Sequence, residues 1–203
     1  MPELDLPEEP PLPVKVILAG DYEYLTEGYY ECQDVELGGG FQAVPTCAET
    51  LDAYVVPVAL EKAACAGLAV PEWYLTNEYF TPPAVVYGVN PFSRRHAVVR
   101  TEAEREEAAK KLTWNFKYTM CCQRIRPETE LVELRMAAGR TEDERWAEWA
   151  ADVHRVFRLP LATVRLLVTG DLVQLSAVEI LPLRSLNRRE RAWAEALARG
   201  DHG

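Results

Sequence analysis

No apolar run in this chain reaches the ~18 residues that a membrane span requires. Nor does a charged-then-apolar leader open it. A cytoplasmic location and no membrane partner are therefore expected. There is no C-x-x-C, and the three histidines, His96, His154 and His202, are scattered, so the closed zinc signatures are missing. The five cysteines, Cys32, Cys47, Cys65, Cys121 and Cys122, are odd in number and unevenly spaced, which argues against a disulfide framework. Positive charge is in deficit, with 22 Lys and Arg against 32 Asp and Glu for a formal net charge of −10. A duplex nucleic acid needs a basic face that releases phosphate counterions, so no duplex nucleic acid partner is expected. That leaves room for a local basic pocket. The middle of the chain lacks a glycine-rich phosphate loop, and "LGGG" (37–40) reads as a helix stop and turn.

What is present is enough apolar residue, 48% of 203, to bury a core in one domain or two small lobes. "MPELDLPEEPPLP" is too rich in proline and acid for a helix or sheet interior, so residues 1–13 read as a disordered tail. "VKVILAG" has the form of a first buried strand and "FQAVPT" of a second. Between them, Thr26 is placed to cap a helix over "TEGYYECQDVEL". The segment 48–68 has helical spacing broken by Pro57 and closed by Gly67. "PPAVVYGV" and "HAVVR" read as strands joined by "NPFSRR", and Thr101 as the cap of a charged helix. "KYTMCCQRI" and "LVELRMAAG" are further strands with "RPETE" as their turn. On a strand, Cys121 and Cys122 point to opposite faces, giving one core thiol and one facing another layer. Thr141 is the expected cap of an amphipathic helix whose stripe is Trp146, Trp149, Ala150, Val153, Val156 and Phe157. Gly170–Asp171 marks a hairpin turn, and Ser185 or Asn187 caps a last helix. From residue 82 the order is β-β-α-β-β-α-β-β-α, an α+β sandwich of hairpins covered by helices. The expected units are a β-α-β lobe over 14–81 and an α+β lobe over 82–203.

Two features resemble a known family. "YEYLTEGYY" followed by "GGGFQAVPT" is similar to the amino-terminal domain ahead of RimK-like ATP-grasp ligases, through Tyr22, Tyr24, Gly28, Tyr29 and Tyr30, and more loosely Gly40, Pro45 and Thr46. The element order after residue 55 resembles a shortened ATP-grasp core, with "CCQRI" like its hinge strand. "GDLVQLSAVEILP" resembles the strand that supplies metal-binding acids. The resemblance implies an α/β (α+β) fold with an ATP-grasp-like sandwich. It also implies a chemistry of lysines on ATP phosphates and an acid-x-Asn set on magnesium, because phosphoryl transfer rests on charge neutralisation and positioning. This sequence departs from that pattern. Tyr87 and Gly88 lie where the first lysine is sought, and Leu181 takes the place of the asparagine after Glu179.

The leading expectation is a non-catalytic or degenerate ATP-grasp-like protein that uses no cofactor. It would bind a small ligand, a peptide or a partner ligase through Tyr22, Tyr24, Tyr29 and Tyr30, whose rings and hydroxyl tips suit amphipathic recognition. The alternative is an ATP-dependent carboxylate–amine ligase, with ATP and magnesium held by Glu133 and Glu179 and by a phosphate clamp of Arg124, Arg126 and Arg135. Structural ion pairs explain those charges equally well. A third reading is a dimerisation or scaffold module, in which a partner protein or a homodimer uses the Trp-rich helix 142–157.

Overall fold

The computed structural model describes residues 11–89 and 95–200. The tail 1–10 and the connection 90–94 lie outside the described residues. Strand β1 (Val14–Val16), helix α1 (Glu27–Gly38) and parallel strand β2 (Gln42–Val44) form the amino-terminal β-α-β unit. Helices α2 (Cys47–Tyr54) and α3 (Val56–Cys65) follow. They break at Val55, and Pro57 sits in the first turn of α3, where its missing N–H costs nothing. A capping box of Thr46 and Glu49 starts α2.

The second sheet runs β3–β6–β4–β5, with β3 Trp73–Thr76, β4 Ala84–Gly88, β5 His96–Val99 and β6 Met120–Arg124. All its pairings are antiparallel. Strand β3 precedes residue 81, yet it pairs with β6 in this sheet. Helix α4 (Glu102–Thr113) covers one face, burying Ala109 and Leu112 against Val86, Val99 and Cys122. The third sheet is β7 (Glu130–Ala137), β8 (Leu161–Thr169) and β9 (Leu172–Glu179). One face takes α5 (Ala147–Phe157) together with α2 and α3. Trp146, Ala150, Val153, Val156 and Phe157 are buried there, as the stripe requires. Helix α6 (Arg188–Arg199) closes the chain behind an Asn187–Glu190 capping box.

Two local expectations are corrected. Strands β6 and β7 are not a hairpin. "RPETE" carries the chain from the second sheet to the third, because β6 finds its partners in β3 and β4 while β7 pairs with β8. Thr141 does not cap the helix before α5. Asp143 does, its carboxylate accepting the Arg145 N–H at 3.1 Å and opening a short 3-10 turn over Glu144–Trp146. Asp is as good a cap as Thr, and the turn lets Trp146 reach the core.

The adjacent cysteines divide as a strand demands. Cys121 packs toward the third sheet and Cys122 under α4. Burial pushes both thiols up to about 12, so neither is a thiolate near neutral pH.

Gly28 marks the tightest approach in the amino-terminal unit. A Cβ there would lie 2.2 Å from the Asp21 carbonyl oxygen and 2.3 Å from the Ala19 Cβ. Backbone atoms cannot yield at that range. Gly28→Ala should therefore destabilise the fold by roughly 2 kcal/mol or more despite its better helix propensity. Urea unfolding checks this, and an unchanged midpoint would contradict the packing described here.

Candidate functional site

The second and third sheets face each other across a buried contact. Tyr87 on β4 is 3% exposed and reaches across to β9, where its hydroxyl lies 2.8 Å from the Ser176 Oγ. Ser176 Oγ donates in turn to the Gln123 Oε1 at 2.6 Å, and the Gln123 amide donates to the Ser176 carbonyl at 2.7 Å. A β-bulge lies at this contact. Arg165 pairs with Ala177 and Leu166 with Leu175, so Ser176 is the extra residue on β9. A bulge turns that residue toward the face its neighbour already occupies. Around this network Val85, Cys121, Leu167 and Ala177, with Val56 and Leu60 of α3, form a buried apolar cluster.

A charged group sits at the rim of this contact. Arg165 donates to both oxygens of Glu179 at 2.8 and 3.0 Å, and it lies 3.3 Å from Glu133. His96 stacks on Tyr87 with 5.5 Å between ring centres and lies 4.0 Å from Glu179. Glu133 and Glu179 are thus brought together, but around a cation of the protein's own. Sequence reasoning missed Arg165, His96, Gln123 and Ser176. A polar residue on an otherwise apolar strand was the available signal at Gln123 and Ser176, and the bulge that aims Ser176 leaves none.

The proposed arginine clamp does not assemble. Arg124 pairs with Glu72 at the surface, and Arg126 is exposed beside the β6–β7 connection. Arg135 makes a bidentate pair with Glu190, both bonds at 2.7 Å, and so anchors α6 to β7. Arg124 and Arg135 thus each follow a carboxylate distant in sequence.

The four tyrosines split. Tyr22 is 1% exposed, and its hydroxyl donates to the Ile17 carbonyl and accepts the Ala19 N–H, fixing the end of β1. Tyr29 is buried while its neighbour Tyr30 is exposed, as their ~100° separation on a helix requires. Tyr24 is exposed and meets Tyr29 edge to face. None of the four lines the pocket that opens beside them. That pocket, of about 680 Å³, lies between the β1–α1 turn and the segment after β9. Asp21, Glu27 and Glu31 line one side, and Arg184 and Arg191 the other.

No family model matches the chain, and no curated protein matches it by sequence. Solved structures do. A RimK-domain ATP-grasp protein from Sphaerobacter thermophilus superposes with TM-score 0.56 at 16% identity, covering 85% of this chain and 76% of that one. D-alanine–D-alanine ligase from Helicobacter pylori gives 0.60 at 14% identity, over 83% of this chain and 67% of the ligase. The ATP-grasp ligase PsnB, in complex with precursor peptide PsnA2 and AMPPNP, gives 0.53 at 11%, over 85% and 65%. The fold is ATP-grasp-like. Identities this low speak to the fold alone.

The ATP-grasp-like fold raises the question of ATP and magnesium, and the residues present do not fit them. The position expected to carry a phosphate-binding lysine holds Tyr87, a neutral phenol whose ionisation burial suppresses. Glu133 and Glu179 already face the Arg165 guanidinium, and Leu181 is a buried apolar side chain where an amide oxygen is needed. Among the described residues, no group of three His, Cys, Asp or Glu converges in a way that could hold a metal ion.

His96 makes the rim sensitive to pH. Burial lowers its pKa from the ordinary 6.5, as does the Arg165 cation, with Glu179 and Glu133 opposing. The unfolded chain therefore binds a proton at this site more readily than the folded one. Folding stability should fall as pH drops through 6.5 toward the lower folded value. Glu104, Glu106 and Glu190, held below the ordinary carboxylate range, titrate lower still. Urea unfolding between about pH 7.5 and 5.5 should show this loss, and His96→Gln should reduce it.

Proposed function

We propose that this chain is a non-catalytic ATP-grasp-like protein that binds a small zwitterion, a free amino acid or a peptide end, in the pocket beside the β1–α1 turn. The observation that carries the non-catalytic reading is the closed contact of Tyr87, Ser176 and Gln123 between the two larger sheets. A nucleotide inserted there would have to separate buried, paired polar groups, which is costly when a partner is left unsatisfied. The pocket supports the binding reading by its two-signed lining. Carboxylates on one side suit an ammonium and guanidinium groups on the other suit a carboxylate, and Arg binds carboxylates in a planar fork. PsnB, a neighbour in fold, carries a precursor peptide, which is in keeping with a peptide end as ligand.

The ligase reading has one observation in its favour, the convergence of Glu133 and Glu179. Thermal-shift and calorimetric titration separate the two. Mg-ATP should leave the melting temperature unchanged. A stabilisation near 2.7 kcal/mol, which a hundredfold excess over Kd would give, would instead favour the ligase. Amino acids and dipeptides should shift the melting temperature of the wild type. Arg184→Glu should remove that shift without altering the ligand-free melting temperature, since Arg184 is exposed. Glu179→Ala should lose about 2 kcal/mol of stability, the worth of charged hydrogen bonds to Arg165, and leave the amino-acid shift intact. A panel without effect on the wild type would refute the pocket assignment.

A further inference from the structure

Several arginines of this chain are held by a carboxylate, Arg124, Arg135, Arg158 and Arg165 at 2.7 to 3.2 Å. A different set stands just before and inside α6. Arg184, Arg188, Arg189 and Arg191 are four arginines within eight residues, and all are exposed. Among the described residues, none of the four has a carboxylate at ion-pair distance. Arg184 lies in the turn Leu183–Ser185, and Arg191 reaches back to the Leu183 carbonyl at 3.4 Å. Arg188 and Arg191 are three residues apart and so neighbours on the helix surface. Arg189 lies over the Trp193 ring, 4.9 Å from its centre. Neighbouring like charges repel, and cations in a first turn oppose the helix dipole. Local structure therefore gives no reason for the cluster, on a chain whose net charge is −10.

The chain carries its complement at the other end. Residues 1–10, "MPELDLPEEP", hold Glu3, Asp5, Glu8 and Glu9 and no base. The chain enters the fold beside α6, because β1 begins at Val14 and α6 packs against β1. Leu18, just past β1, joins the same apolar cluster as Trp193 and Ala194 of α6. Ten residues of extended chain reach about 33 Å, and a helix of twelve residues is about 18 Å long. The whole arginine surface is within that reach. Proline at positions 2, 7 and 10 disfavours a helix and favours the extended form that can lie along a surface. We propose that the acidic segment 1–10 docks in cis on the arginines of α6 and of the turn before it, carboxylate to guanidinium. Arginine meets carboxylates in a planar fork. A tether holds the acids at about millimolar local concentration, whereas an untethered polyanion must approach a molecule of net charge −10. Arg184 and Arg191 also line the pocket beside the β1–α1 turn, so the docked segment covers that pocket's basic wall. The docking does not depend on the ligand proposed above, and it is tested with no ligand present.

Carbodiimide cross-linking of the full chain reads the contact. The reagent joins a carboxylate to a lysine amine as an amide, with loss of water. Arg188→Lys and Arg189→Lys therefore each install a reporter that keeps the positive charge. Gln42→Lys is the control. Gln42 is exposed, and its N–H bonds the Pro13 carbonyl at 2.9 Å, so it sits at the root of the segment. A segment that wanders without docking would meet that position first. Peptide mass spectrometry of the monomer band should find Glu3, Asp5, Glu8 or Glu9 joined to the α6 reporters about fivefold more often than to the control. Raising salt from ~0.05 M to ~1 M, where the screening length is ~3 Å, should cut the α6 links about fivefold. In an independent arm, Glu3→Gln, Asp5→Asn, Glu8→Gln and Glu9→Gln together should move the amide NMR signals of residues 184–191 and keep the melting temperature. Links spread evenly, or favouring Gln42→Lys, overturn the proposal. So do links found only between two chains, which make a second copy the occupant, and amide signals at 184–191 that ignore the neutralised acids.

Discussion

The hydroxyl of Tyr87 rests against Ser176, and the relative placement of the two larger sheets follows from that contact. Tyr87, Ser176 and Gln123 are buried polar groups, and burial is tolerated only when each donor and acceptor is met. Their three hydrogen bonds satisfy one another across β4, β6 and β9. Apolar neighbours fill space in several arrangements, whereas a closed polar network accepts one. Sliding either sheet by a residue would orphan at least two of these atoms. The bulge at Ser176 puts Ser176 and Ala177 on the same face of β9, toward the second sheet.

The charges arrange themselves around this closure. Arg165 takes up Glu179 and reaches Glu133, while Arg135 takes up Glu190 and thereby fixes α6. Carboxylates satisfied by guanidinium groups are poor metal ligands and give the rim a structural part. The ATP-grasp-like architecture carries a buried hydrogen-bonded contact between its two larger sheets, and a fold does not dictate function.

What remains open to ligands lies at the periphery. The β1–α1 turn is held by the Tyr22 hydroxyl and by the close approach at Gly28. Its wall faces the arginines of the segment that follows β9.

Local chemistry was legible in the sequence because it is carried by neighbours along the chain. The cap at Asn187, one of two candidates with Ser185, the Trp146–Phe157 stripe, the break at Pro57 and the opposed faces of Cys121 and Cys122 all follow from local chemistry and periodicity. So did the order of elements from residue 82, and the departures at Tyr87 and Leu181 from the pattern it resembles. The failures share one cause. Thr141 lost to Asp143 because two good caps stood two residues apart, and only the seat of Trp146 chose between them. The clamp of Arg124, Arg126 and Arg135 did not assemble because β6 and β7 belong to different sheets, and Arg124 and Arg135 each met a carboxylate distant in sequence. Arg165 with Glu133 and Glu179, and Tyr87 with Ser176, are long-range pairs set by strand register and by one bulge. Sequence determined which segments are helix and strand and where the chain departs from the pattern it resembles. Tertiary structure decided which charges are spent on each other, because side-chain pairing depends on distance in space, and periodicity along a chain fixes only direction.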